Sequence, residues 1–153
     1  MAEEHNNDED NPKTNVERTE IIHGQDSIVK RTIGDFSTIK EKFDNCIDAT
    51  SPSVFYNTPV LKEFVALKNR GIRLRFITEI TKDNLRYSKE IMKIADLRHL
   101  DGIKGNFGIA DGKDYGGTAS IKEGQPPIEL IRSNVRTFVE QQHWLLTHLE
   151  RWR

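Results

Sequence analysis

A helix-to-strand unit in the middle of the chain, Thr58 to Ile80, limits the fold more than any other stretch. Thr58 is suited to accept the free N–H groups at a helix start, and Pro59 to open its first turn. Leu61, Phe64, Val65, Ala66 and Leu67 supply an apolar face, and Lys68 and Arg70 put positive charge in the last turn, where the helix dipole favours it. Gly71 fits the left-handed residue that ends such a helix. From Ile72 to Ile80 apolar and polar residues alternate as in a strand. Upstream, Asp44–Ala49 reads as another strand, stopped by Thr50-Ser51-Pro52-Ser53. Two strands joined through a helix demand a crossover with parallel pairing, and hence an α/β domain.

The flanks extend this pattern. Ile28, Val29, Ile33, Phe36, Ile39 and Phe43 recur at helical spacing from Ser27 onward, with Asp26 or Ser27 as the cap. A third helix is expected over Thr81–Ala95, with Leu85, Ile91, Ile94 and Ala95 inward. A loop or short strand follows at 96–102. Short strands are expected around Asn106–Ala110, Gly117–Ile121 and Ile128–Arg132, the first two joined by the turn Asp111-Gly112-Lys113-Asp114. Ser133 or Asn134 caps a final helix whose stripe runs Val135, Phe138, Val139, Gln142, Leu145, Leu146, Leu149 and Trp152. The expected fold is a three-layer α/β domain with a mixed sheet.

Charge is distributed unevenly. The net charge is −1, but residues 1–20 carry −5 and the remainder +4. Residues 1–18 hold almost no large apolar side chain and read as a disordered acidic leader, leaving 19–153 as one domain. The Lys and Arg residues form no dense run in the sequence, which argues against direct nucleic-acid binding. No apolar run reaches the roughly 20 residues of a membrane span, and the acidic N-terminus is unlike a secretory signal. A cytoplasmic location is expected. A single cysteine, Cys46, rules out an internal disulfide and reads as packing rather than as a nucleophile.

In open α/β sheets ligands gather at the C-terminal ends of parallel strands. Asp48 and Thr50 end the first expected strand; Thr78, Glu79 and Thr81 end the second. Asp48 and Glu79 could therefore share a crevice, as acid and base or around a divalent cation, or could cap helices or pair with Arg73, Arg75 or Arg98. His99 and Asp101 lie two residues apart in a polar stretch, a weak general-base pattern. The five histidines lack the spacing of a zinc motif, and Gly102, Gly105 and Gly108 do not open a helix as a phosphate loop would. The candidate ligand-binding set is Asp48, Thr50, Thr78, Glu79, Arg98, His99 and Asp101, with no metal and no cofactor.

The stretch Lys68-Asn69-Arg70-Gly71-Ile72-Arg73-Leu74-Arg75-Phe76 resembles the helix–strand unit of phospholipase-D-like domains. Together with Thr19–Gly24, Ile47-Asp48, Leu97–Phe107 and Ile131–Val135 it resembles an archaeal sensor domain found ahead of histidine kinases. That domain is similar in turn to the effector domain of TrmB-type transcription regulators. The resemblance implies one phospholipase-D-like lobe acting as a sensory domain of a histidine kinase-associated, two-component protein. Such a domain would bind a small ligand or a signalling partner and pass the change through the final helix. Active members use His-x-Lys-x4-Asp; with Asp111 at the Asp position, Lys104 takes the place of His and Asn106 that of Lys, so no covalent phospho-enzyme is expected. Because the family's site lies between two lobes, the resemblance allows a homodimer with the crevice near its interface. The rival expectations are a degenerate metal-dependent phosphodiester hydrolase using Asp48, Glu79 and His99, and the effector domain of a transcription regulator. Either a free-standing domain or a remnant of a longer kinase fits the sequence.

Overall fold

The computed structural model describes residues 16–120 and 125–149. Within these, seven strands form one sheet: β1 (Thr19–His23), β2 (Lys42–Cys46), β3 (Arg73–Thr78), β4 (Asp96–His99), β5 (Phe107–Ala110), β6 (Asp114–Ser120) and β7 (Glu129–Ser133). Five helices accompany them: α1 (Gln25–Phe36), α2 (Ser51–Tyr56), α3 (Val60–Asn69), α4 (Leu85–Met92) and α5 (Arg136–Leu149). The strand order is β1-β7-β6-β5-β2-β3-β4. β2, β3 and β4 run parallel, and the remaining pairings are antiparallel.

Strand alternation sorts the core into two layers. On one face Leu74 and Phe76 pack with Phe36, Ile39, Ile47, Phe64, Leu67 and Ile91, so this face is covered by α1, α3 and α4. Phe55 from α2 joins it, with ring centroids 5.3 Å from Phe64 and 6.4 Å from Phe76. On the other face Cys46, Ile77 and Ile109 pack against Val139 and Leu146 of α5. Helices on both faces make the three layers expected from the sequence.

The crossover unit forms as its sequence requires. β2 and β3 pair in parallel from Lys42↔Arg73 to Cys46↔Ile77, and Gly71, at φ 87°, turns the chain out of α3. Other details differ. β1 was not anticipated, and its Ile21 remains 54% exposed. α1 starts at Gln25 after Gly24 (φ 92°), without a side-chain cap from Asp26 or Ser27, and Phe43 belongs to β2. Pro52, read as a stop, sits in the first turn of α2, where its missing N–H costs nothing. α4 is shorter than expected; its inward positions include the polar Asn84 and Ser88, while Leu85 is exposed. In α5 Leu145 faces outward; Trp152 lies outside the described residues. Residues 1–15, most of the expected leader, also lie outside them. Glu17 Oε1 accepts from Arg136 N (3.1 Å) at the start of α5, and Arg18 N donates to Asn134 Oδ1 (2.8 Å).

Cys46 is buried, and burial together with the Asp48 charge pushes its thiol up to about 12. Its place in the α5-side cluster agrees with a packing role. A thiol reagent at pH 8 is expected to leave the native protein unmodified and to label one thiol after denaturation in urea; rapid labelling of the native protein would contradict this packing.

Candidate functional site

The residues expected at the C-terminal sheet edge fall into separate local networks. Asp48 Oδ1 accepts from Thr50 N (3.0 Å), Thr50 Oγ1 (2.8 Å), Ser51 N (3.0 Å) and Ser51 Oγ (3.0 Å), and its Oδ2 accepts from Asn106 Nδ2 (2.7 Å). Asp48 therefore holds the start of α2 and ties it to the strand entering β5. Thr78 Oγ1 donates to Asp48 O (3.1 Å). Further along the edge, His99 Nδ1 accepts from Ile80 N (2.9 Å), His99 Nε2 meets Asp101 Oδ1 (2.6 Å), and Gly102 N donates to Glu79 Oε2. Arg98 lies on the edge strand β4 beside Asp96 (3.3 Å). Asn84 bridges the two strand ends, its Nδ2 donating to Ala49 O (2.9 Å) and Glu79 O (2.8 Å). Among the described residues, no group of three His, Cys, Asp or Glu is placed to hold a metal ion.

Asp111, at φ 53°, performs a similar fastening at the β5–β6 turn. Its carboxylate accepts from the backbone N–H groups of Lys40 (2.9 Å), Glu41 (2.8 Å) and Lys42 (3.0 Å), tying the turn to the start of β2. Burial works against the charge on both Asp111 and Asp48, but the donors outweigh it and hold both carboxyls below their ordinary value of 3.8. Groups whose pKa is lowered on folding stabilise fully above the ordinary carboxylate range and lose that contribution as pH falls through it. Unfolding free energy is therefore expected to drop steeply below about pH 4, and Asp111→Asn to drop less steeply from a lower starting point. Equal acid slopes in the two proteins would contradict this role.

A cavity of about 350 Å³ lies elsewhere, on the face of the sheet covered by α1, α3 and α4, between α1, α2 and strands β2, β5, β6 and β7. None of the seven expected residues lines it, although Ser51 and Asn106, both bonded to Asp48, do. Its floor follows from register. One cross-strand row runs Phe76, Asn45, Gly108, Gly116, Arg132, Glu20 across β3, β2, β5, β6, β7 and β1. Directly paired residues point to the same face, so two adjacent glycines leave the middle of the row without side chains. A Cβ at Gly116 would meet nothing within 4 Å, whereas one at Gly108 would overlap Asn45 Oδ1 and the Phe43 ring. The walls include Ile28, Val29 and the phenylalanines Phe36, Phe43, Phe55 and Phe64.

Charge sits at one end of this cavity. Arg132 Nε and Nη2 hold Asp35 (2.7 and 2.9 Å), and its Nη1 holds Glu20 (2.5 Å), which Arg31 also binds (2.6 Å). Burial raises the Asp35 carboxyl against the pull of Arg132. At Glu20 burial is outweighed by the Arg132 hydrogen bond and the Arg31 and Arg132 charges, and the carboxyl is lowered. Asp114, also raised by burial, is exposed at the rim. The sequence signals for this site were an Asn between Phe43 and Ile47 in an inward strand and glycines at 108 and 116, but only register brings them together.

No family model matches the sequence, and no curated protein matches it. Solved structures share its fold. TrmBL2, an archaeal chromatin protein whose structure shows a novel mode of DNA binding, superposes with a TM-score of 0.64 at 14% identity, over 96% of this chain and 57% of that one. NucT from Helicobacter pylori gives 0.69 at 13% identity, over 88% and 96%. Polyphosphate kinase from Porphyromonas gingivalis gives 0.61 at 15%, over 87% and 24%. This chain spans a little over half of TrmBL2. The shared fold is the phospholipase-D-like one, with similarity to a TrmB-type protein.

The expected exclusion of nucleic acid does not stand, since a protein of this fold binds DNA. The exclusion relied on charge density along the sequence, which does not measure clustering on a surface. Residues 62–104 alone hold eleven Lys and Arg against six Asp and Glu. Among the described residues, no helix is long and apolar enough to cross a membrane.

Proposed function

We propose that this protein is a non-catalytic sensory domain that binds a small molecule in the cavity above Gly116 and relays occupancy to a signalling partner. The observation that carries this reading is the cleared floor. Gly116, with nothing within 4 Å of where a Cβ would stand, leaves open an apolar cavity with a few polar groups, the usual anatomy of a small-molecule site, while its partner Gly108 lets Asn45 and the Phe43 ring close in over β5. The absence of turnover is supported by what the candidate catalytic groups do: Asp48 caps α2, and His99 is engaged by Ile80 N and Asp101. α5 is the natural relay. Val139 and Leu146 touch the sheet through Cys46, Ile77 and Ile109, while Trp144 and Leu145 face outward. Association with a histidine kinase module would use that outer surface.

A thermal-shift screen of sugars, nucleotides, phosphates and small aromatic compounds tests the proposal, because selective binding stabilises the folded state. A shift in the wild type that disappears in Gly116→Leu, without phosphodiester hydrolysis in the same mixtures, is expected. Metal-dependent hydrolysis abolished by Glu79→Ala would favour the hydrolase reading instead.

A second reading, the effector domain of a nucleic-acid-associated regulator, is favoured by one surface feature. The Arg86 guanidinium lies 4.8 Å from the Tyr87 ring centroid and 6.0 Å from that of Tyr56, with Lys89 on α4 and Lys82 and Lys93 just beyond its two ends, all three exposed. Cationic side chains beside one exposed and one half-buried ring suit a nucleic-acid backbone and bases. Salt-dependent binding of a labelled oligonucleotide, lost in Arg86→Ala, would establish it; no binding at low salt would remove it.

A further inference from the structure

Asn45 is the one residue of the cross-strand row whose chemistry the fold does not use up. It points into the helix-covered core between Phe43 and Ile47 and is only 6% exposed, a position normally held by an apolar side chain. Its Nδ2 is turned toward two backbone carbonyls, Phe43 O (3.4 Å) and Arg75 O (3.5 Å). Its Oδ1 receives no hydrogen bond from the described residues. No side-chain polar atom among the described residues is both sealed from solvent space and unpartnered, so Oδ1 opens onto free volume. That volume is the cavity, which Asn45 lines and where Oδ1 overhangs Gly108. A near-buried acceptor left open in an apolar cavity calls for a donor from outside the chain.

The rest of the cavity narrows the ligand's chemistry. Five phenylalanines and a larger number of aliphatic residues line the cavity, which suits a flat apolar body. The charged groups lie at the far end of the row, where Arg132 is occupied by Asp35 and Glu20, so the floor around Asn45 offers nothing to neutralise a charge. We infer that the cavity takes an uncharged aromatic compound bearing a hydroxyl or N–H group, its ring over Gly116 and its donor on Asn45 Oδ1. This inference rests on the cavity being the ligand site, and the test separates the two.

Binding of 4-methylphenol, toluene, 4-methylbenzoate and 4-methylbenzylamine is compared by ligand-observed NMR on the wild type, Asn45→Val, Asn45→Ser and Gly116→Leu. The wild type is expected to bind 4-methylphenol about tenfold more tightly than toluene, the scale of one hydrogen bond gained in an apolar site, and the two charged compounds more weakly than either. Asn45→Val should bind both neutral compounds equally, with toluene binding showing that the cavity has survived; Asn45→Ser should behave likewise if valine perturbs packing. Gly116→Leu should bind neither. Equal binding of 4-methylphenol and toluene by the wild type, or a preference that survives both Asn45 variants, overturns the assignment to Asn45 and leaves the cavity standing. Binding of no compound, or binding unchanged in Gly116→Leu, overturns the cavity reading and this inference with it.

Discussion

Phe76→Ala is expected to remove about 3–5 kcal/mol of unfolding free energy, the largest loss from any single apolar truncation in this fold. Phe76 is fully buried at the centre of the parallel half of the sheet, with the Phe64 ring 5.1 Å away nearly perpendicular and the Phe55 ring at 6.4 Å. Those rings belong to α3 and α2, so the truncation opens a void where three elements meet, and close-packed surroundings relax only in part. A domain of this length should melt roughly 10 °C lower. Urea unfolding checks it; a loss below about 1 kcal/mol would mean that α2 and α3 collapse onto the void and that their packing is less specific than described.

Asp48→Ala is expected to cost about 2–4 kcal/mol, combining loss of a helix cap with buried donors left unpaired. Five hydrogen bonds from Thr50, Ser51 and Asn106 converge on this one carboxylate. The effect should fall on stability, since Asp48 does not line the cavity. Reduced melting temperature with ligand affinity retained below the melt would agree. Unchanged stability with binding abolished would instead make Asp48 a ligand contact at the strand edge, as the sequence suggested.

These contrasts show why the fold was more legible than the site. The Thr58–Ile80 unit carries its own punctuation, a cap, a proline, a terminal glycine and a two-residue alternation, all local signals that tertiary packing then reinforces. α2 escapes a local reading because Pro52 looks the same as a stop and as a first-turn residue; Asp48 Oδ1 holds Thr50 N and Ser51 N, and Asn106, 58 residues away, fixes that carboxylate through Oδ2. β1 was missed because five residues with an exposed Ile21 give a weak alternation; its pairing with β7 spans more than a hundred residues.

The cavity was least legible because it is made of absent side chains. Gly108 falls within the expected strand Asn106–Ala110 and Gly116 just before the one at Gly117–Ile121, and a single glycine in or beside a short strand carries no local sign of a cavity. Their meaning appears when β5 and β6 pair them directly and β2 sets Asn45 beside Gly108. Strand-end carboxylates, by contrast, are conspicuous in sequence; in the structure Asp48 accepts from Thr50, Ser51 and Asn106, and Glu79 from Gly102 N.

The most direct test of the cavity as the ligand site is a ¹⁵N NMR titration with the compound giving the largest thermal shift. The account predicts that the Gly108 and Gly116 amides and the Asn45 side-chain amide move together and saturate at one affinity. Movement confined to Thr50, His99 and Gly102, with those three resonances unchanged, would contradict it and place recognition at the strand ends.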